Sequence, residues 1–270
     1  MELAGSKLKA LERHEFLHCL VRAAVMRYVQ SGLLADVSQA VLRLFSEVIK
    51  QHADAGLHAS TDVFRRTALY VEEVDAALRR HEAALRKLYQ ATCKLEHTNN
   101  SYANKHVSFS GWKQFITLFG LVGIDCTERD ATLCFSCSRM FVIDAEKDNK
   151  SAVRRTHLGF EDWLEALVRL AGLKAFPTDT EIAEAETENA GTHLLKLASE
   201  NAMEYERLMN ERAAPWGEPP AHQPLARCVE HLCHTLIVFC QGGLKRTAKD
   251  FNLSDSHVKW GFQKNKSLND

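Results

Sequence analysis

The sequence predicts an all-α protein, and three observations carry this. Only five prolines occur, four of them between Pro215 and Pro224. With 13 glycines and abundant Ala, Leu, Glu and Arg, little of the chain is barred from a helix. Apolar residues recur at helical spacing almost throughout. One amphipathic phrase occurs twice, 147 positions apart: "LERHEFLHCLVRAA" at 11–24 and "LGFEDWLEALVRLA" at 158–171. Each runs apolar residue, acid, aromatic, Leu, then Leu-Val-Arg-x-Ala.

The elements follow in order. Residues 8–30 place Leu8, Leu11, Phe16, Leu20, Ala24 and Tyr28 near one face of a helix. After the turn "SGLLAD", Asp36 or Ser38 caps a helix to about Lys50. "HADAGLHAST" at 52–61 reads as a loop. One long helix is expected over 63–96, with Leu69, Val74, Leu78, Leu85, Leu88 and Tyr89 as its apolar stripe. The polar stretch 97–106 turns the chain, and a helix restarts after Ser108 or Ser110. Thr127 and Asp130 form a cap pair for the next helix. "DAEKDNKSAVRRTH" at 144–157 reads as a charged loop, and the helix 160–175 stops at Pro177. Residues 178–191 are an acidic helix start or solvated loop, and 193–212 one amphipathic helix.

Composition excludes several classes. The net charge of −1 gives no global field towards nucleic acid or anionic lipid. No apolar run approaches the roughly 20 residues of a membrane span, so no membrane partner is expected. The N-terminal stretch lacks the apolar core of a signal peptide. Eight cysteines are scattered among apolar helical positions, which fits reduced thiols in a cytosolic compartment.

Between 63 and 176 the expected order is helix, polar loop, helix, turn, helix, polar loop, helix. Each polar loop ends in a matching phrase, "VSFSGW" at 107–112 and "LGFEDW" at 158–163. That arrangement resembles a pair of EF-hands, in which an apolar residue near the end of each loop pairs with its twin. A calcium loop supplies oxygens at positions 1, 3, 5, 7, 9 and 12. With Val107 at position 8, those places hold Asn100, Tyr102, Asn104, His106, Ser108 and Gly111. With Leu158 at position 8, they hold Ser151, Val153, Arg155, His157, Gly159 and Asp162. One set has no carboxylate and the other puts Arg155 where an acid belongs, so neither loop is expected to bind calcium. The copy at 11–24, with Glu15 at position 12, reads as the exit of an earlier half-hand lacking its entering helix and loop.

The wording of "LVRAAVMRYVQSG", "DVSQAVLRLF", "FRRTALYVEEVDAALRRHEAALRKLY", "LCFSCSRMFVID" and "LGFEDWLEALVRLAGLKAFPT" resembles a family of degenerate EF-hand proteins of cilia and flagella, over about 11–212. The resemblance implies a structural, non-catalytic component of the axoneme. Its partners would be tubulin of the doublet microtubule, some members lying in the lumen, and neighbouring axonemal proteins. It implies no cofactor, and it maps no contact residue onto this chain.

Other signals have plainer readings. Cys134 and Cys137 form a Cys-x-x-Cys near Cys126, but on a helix they share an apolar stripe with Leu133 and Met140 and read as buried thiols. Cys228, His231, Cys233 and His234 invite a metal reading, which core packing of Leu232, Leu236, Ile237 and Phe239 replaces. Gly242 in "CQGGLK" reads as a helix end, not a phosphate loop. No nucleophile motif appears, and no enzyme is expected.

The tail "LKRTAKDFNLSDSHVKWGFQKNK" at 244–266 reads like a helix-turn-helix, with Ser254 as cap, Val258 inward and Cys228–Cys240 as the supporting helix. Residues 244–270 carry six Lys and Arg against three Asp and Glu, an excess too small to make nucleic acid an expected partner. The alternative functions are thus a calcium-sensing adaptor and a DNA-binding protein acting through this tail. The expected organisation is a half-hand and helical segment at 1–62, the EF-hand-like pair at 63–176, and an acidic connector at 177–213. A stiff Pro-rich linker at 214–224, whose Trp216 is either an anchor on the body or a partner contact, and a helical tail at 225–270 complete it.

Overall fold

The structure is a computed structural model, which describes residues 13–50, 61–96, 98–139, 148–242 and 253–264. The chain divides into two compact units, Met1–His58 and Ala59–Asp270. The described residues are helical and contain no β-strand.

In the first unit, α1 (Arg13–Ala24) continues through a wider turn at Val25–Val29, where Gln30 N donates to Val25 O at 2.9 Å. The chain reverses at Gly32, whose φ of 76° suits a residue without Cβ. Asp36, not Ser38, caps α2 (Val37–Arg43), accepting from Gln39 N at 2.8 Å. A second wide turn, Leu44–Ile49, extends α2. The buried core is small: Ala24, Tyr28, Ala40 and Leu44. Only part of the expected stripe is therefore covered. Ala24 and Tyr28 are buried, whereas Phe16 is 52% exposed. Leu8 and Leu11 lie outside the described residues.

The second unit departs from the single helix expected over 63–96. α3 (Thr61–Phe64) runs through a wide turn at Arg65–Leu69, and extended Val71 breaks the chain before α4 (Glu72–Arg80). His81 breaks it again before α5 (Glu82–Cys93). A straight helix over 63–96 would run about 50 Å, too far for one core to cover its stripe. With the two bends, Leu69, Val74, Ala77, Leu85 and Leu88 all enter one core.

Ser108 caps α6 (Phe109–Leu118), accepting from Gly111 N at 2.9 Å. Thr127 and Asp130 form the capping box of α7 (Glu128–Ser138). The expected charged loop is instead partly helical: α8 (Asn149–Thr156) starts at Asp148, which accepts from Ser151 N at 2.7 Å. Its single buried residue, Val153, and basic residues in its last turn suffice once the cap is made.

α9 (Phe160–Leu173) crosses the centre, its residues from Ala166 to Leu173 all buried. α10 (Asp179–Glu184) opens with a Thr178–Glu181 capping box. The amphipathic helix expected at 193–212 is two helices, α11 (Ala190–Glu200) and α12 (Ala202–Arg212). Asn201 divides them by capping the second, accepting from Glu204 N at 3.2 Å.

The Pro-rich segment does not separate a tail. α13 (Leu225–Cys240) packs on α4, α9 and α11 within the same core, and Trp216 packs against that core as its anchor. α14 (Asp255–Lys264) closes the described chain against α5 and α13.

α11 and α13 meet at Gly191, where an added Cβ would lie 2.8 Å from Thr235 Cα. A backbone atom cannot swing aside, so Gly191→Ala should push the helices apart. We expect a loss of about 1–3 kcal/mol, read as a lower denaturant midpoint at unchanged slope.

α13 also buries imidazoles. His231 is fully buried, and the ring of His234 meets that of His81 edge-on at 5.1 Å. Burial pushes His231 down to about 4 and His234 to about 3, with Arg227 adding to both shifts. Since the unfolded chain takes these protons near pH 6.5, stability is full above that pH and lost as pH falls from about 6.5 towards 4. Denaturant unfolding at stepped pH should show a loss on the order of a few kcal/mol across that window. The loss should shrink in His231→Gln, His234→Gln protein.

Candidate functional site

The two loops of the second unit meet backbone to backbone. Val107 N donates to Leu158 O at 3.0 Å and Leu158 N to Val107 O at 2.8 Å, a reciprocal antiparallel bridge. Both side chains are fully buried. Tyr89 from α5 ties the bridge to the body, its hydroxyl donating to Lys105 O at 2.8 Å and Leu158 O at 3.3 Å. Beneath it lie Trp112, Phe115 and Trp163, one aromatic layer shared by α6 and α9.

The first loop is closed by its own hydrogen bonds. Asn100 Oδ1 accepts from Tyr102 N at 3.0 Å and Ala103 N at 3.3 Å. Asn104 exchanges bonds with the backbone of Thr98, both at 2.9 Å. His106 Nδ1 lies 2.9 Å from Tyr102 O, and the Ser108 hydroxyl bonds Glu96. Glu96, Thr98, Asn104, His106 and Ser108, with Cys93, Gly111 and His157, line an open pocket. Every oxygen-bearing loop residue that faces it is already engaged within the protein, apart from Glu96's remaining acceptor capacity.

The second loop is further from a cation cage. Ser151, Val153 and Arg155 lie within α8, so their side chains point in different directions from a helix and cannot encircle an ion. Asp162 accepts from Gly159 N at 3.0 Å, so the acid at position 12 serves as an N-terminal cap of α9. Burial raises its pKa. Burial lowers that of His157, with His106 nearby adding to the effect. Arg154 Nε donates to Tyr102 Oη at 2.9 Å, bracing one loop on the other.

Behind the loops sits a charge network around Arg169, which the repeat suggests pairs or snorkels at the edge of the core; its partners Glu165 and Arg65 are not marked by the repeat. Glu165 and Arg169, one turn apart on α9, are both buried and paired at 2.7 Å. Arg65, the first residue of the wide turn after α3, joins Glu165 at 2.9 Å, and the Arg169 guanidinium lies 4.1 Å from the Phe64 ring centre. A Glu and an Arg four apart inside an otherwise apolar helix were the available signal. Arg169 is thus paired inside the core, whereas Arg22, its counterpart in α1, is exposed. Likewise Leu167 and Val168 are core residues, but Val21 is 40% exposed.

The cysteines are where packing places them. Cys134 is fully buried and Cys137 half-buried, and Met140 lies outside the described residues. Cys228, Cys233 and Cys240 are buried in α13. Burial pushes the thiols of Cys126, Cys228, Cys233 and Cys240 up to about 12, which keeps them protonated and poorly nucleophilic. Among the described residues no three His, Cys, Asp or Glu side chains converge to hold a metal. Gly242 ends α13 with a φ of 102°, under the ring of Trp260.

In the tail, residues 243–252, which hold the first helix of the helix-turn-helix reading, lie outside the described residues. Ser254 caps α14, accepting from His257 N at 3.2 Å, and Val258 is buried. Gly261 packs on Cys240 and Phe262 on Phe119, while Lys87 bonds Leu253 O at 2.8 Å and Asp255 at 2.9 Å.

With the loop oxygens engaged internally, calcium and a chelator should act alike. Thermal unfolding in millimolar calcium and in excess EDTA should give midpoints within about 1 °C of each other, since a ligand that binds the native state must raise the midpoint. Comparison with known proteins yields no match: no family model, curated protein or solved structure is significantly similar to the chain.

Proposed function

We propose that 63–176 is a degenerate EF-hand pair that has exchanged its ions for internal hydrogen bonds. On this reading the chain is a non-enzymatic structural component of the ciliary or flagellar axoneme. The observation that carries the fold reading is the reciprocal bridge between Val107 and Leu158, each one residue before the Ser108 or Gly159 that starts an aromatic-led helix. Two helix–loop–helix units joined tip to tip by one apolar residue from each loop are the geometry expected of paired hands. The bonds from Asn100, Asn104, Ser108 and Asp162 stand in for the missing ions.

The functional reading follows from what such a module lacks. A hand that opens on calcium needs a site whose occupancy changes its shape. Here the loop bonds hold one state, so the module is a constitutive building block. Its location on doublet microtubules, bound to tubulin or neighbouring axonemal proteins, rests on the family resemblance of the sequence.

The test is to express the tagged chain in a flagellated cell and extract with detergent, then with high salt. Retention on the axoneme through both steps is the expected result. A diffuse cytosolic or nuclear signal would overturn the axonemal role.

A further inference from the structure

We infer that the first three turns of α1 are a docking face for a helix of a partner protein, apolar along one side and acidic along its flank. In the repeated phrase, Phe16, Leu17 and Val21 stand where Trp163, Leu164 and Val168 stand in α9. In α9, which packs on helices α7 and α13, Trp163 and Val168 are fully buried. In α1 the same positions are open: Phe16 is 52%, Leu17 49% and Val21 40% exposed. This is one stripe, not scattered surface, because at helical spacing it continues into the buried Ala24 and Tyr28. A unit with four buried apolar residues among those described gains much from a cover, and its own repeat shows what fits that array: another helix.

Charge chooses the kind of helix. Arg169 has Glu165 one turn back, but Arg22 has His18 there. The other neighbours of Arg22 at three or four residues are Cys19, Val25 and Met26, so its own helix offers no carboxylate in reach. His14, His18 and Arg22 follow one another at four-residue spacing beside Val21, and the rings of His14 and His18 meet edge-on at 6.3 Å. The acid of α1, Glu15, sits seven residues from Arg22. The open stripe is therefore bordered by Arg22, a cation with no carboxylate within one turn on its own helix. A helix with Glu or Asp beside its apolar face would fill the stripe and supply to Arg22 the carboxylate that Glu165 supplies to Arg169.

The inference rests on reading the chain as a constitutive binding module, and not on where in the cell it sits. Its test uses the full chain and two fluorescent model helices of roughly five turns, alike on an Ala/Leu face and flanked by Glu in one and Lys in the other. The Glu helix should bind at least ~10-fold more tightly than the Lys helix. His18→Glu with Arg22→Glu should reverse that order. Leu17→Asp with Val21→Asp should abolish both at an unchanged thermal midpoint, since both side chains are exposed. Equal binding, no binding, or binding unaffected by these changes overturns the inference. So does dimerisation, or capture on phosphatidylserine vesicles, that the Asp pair abolishes while neither peptide binds. Loss of peptide binding with axonemal retention intact would sink this face alone, and the converse would sink the axonemal role alone.

Discussion

The second unit depends on one constraint: α9 is buried on nearly every side, so its charges must be neutralised by the protein itself. Glu165 and Arg169 are almost wholly withdrawn from water, and each unpaired ion in that setting would cost several kcal/mol. The solution is a chain of contacts, Arg65 to Glu165 to Arg169 to the face of Phe64. It draws α3 onto α9, and the bends at Val71 and His81 let α4 and α5 continue around the same centre. Removing one member of such a network costs about 3–5 kcal/mol because it strands the others.

At one end of α9 the same logic governs the loops. A loop meant for a cation leaves its oxygens pointing inwards and unsatisfied until the ion arrives. Here the backbone donors of Tyr102, Ala103, Gly111 and Gly159 take those oxygens. The bridge between Val107 and Leu158 then needs no ion to hold its partners in register. Rigidity at the loops and burial of α9 support each other, since Leu158 and Trp163 are fixed by the bridge on one side and the aromatic layer on the other.

The repeated phrase shows how little a stripe says about its cover. The two copies share their apolar and aromatic positions, yet one is the most buried of the described helices and the other lies largely open. Sequence periodicity states that a face can be buried, and the neighbours decide whether it is. The exchange of Glu165 for His18 is the local mark of that difference: a buried Arg needs a partner in its own core, and an exposed one does not.

Much of the architecture was legible from residues acting on their nearest neighbours. The all-α class, the cap pair Thr127 and Asp130, and the pairing positions Val107 and Leu158 are written in short-range chemistry or in a repeat, and the caps at Asp36 and Ser108 were narrowed to two candidates each. The missing loop carboxylates were legible too, as an inventory of donor atoms. The bends at Val71, His81 and Asn201 were not, because a continuous apolar stripe looks the same whether a helix runs straight or folds around a core. Nor was α8, whose short polar sequence becomes helical once Asp148 caps it and Val153 finds the core. The sequence by itself determined the all-α class, most of the helical segments, and that both loops carry too few carboxylates for a calcium cage. Only the tertiary structure decided that 225–240 belongs to the same core as 160–173, and that His81, His231 and His234 share one junction. Those juxtapositions join residues far apart along the chain, and no local propensity encodes them.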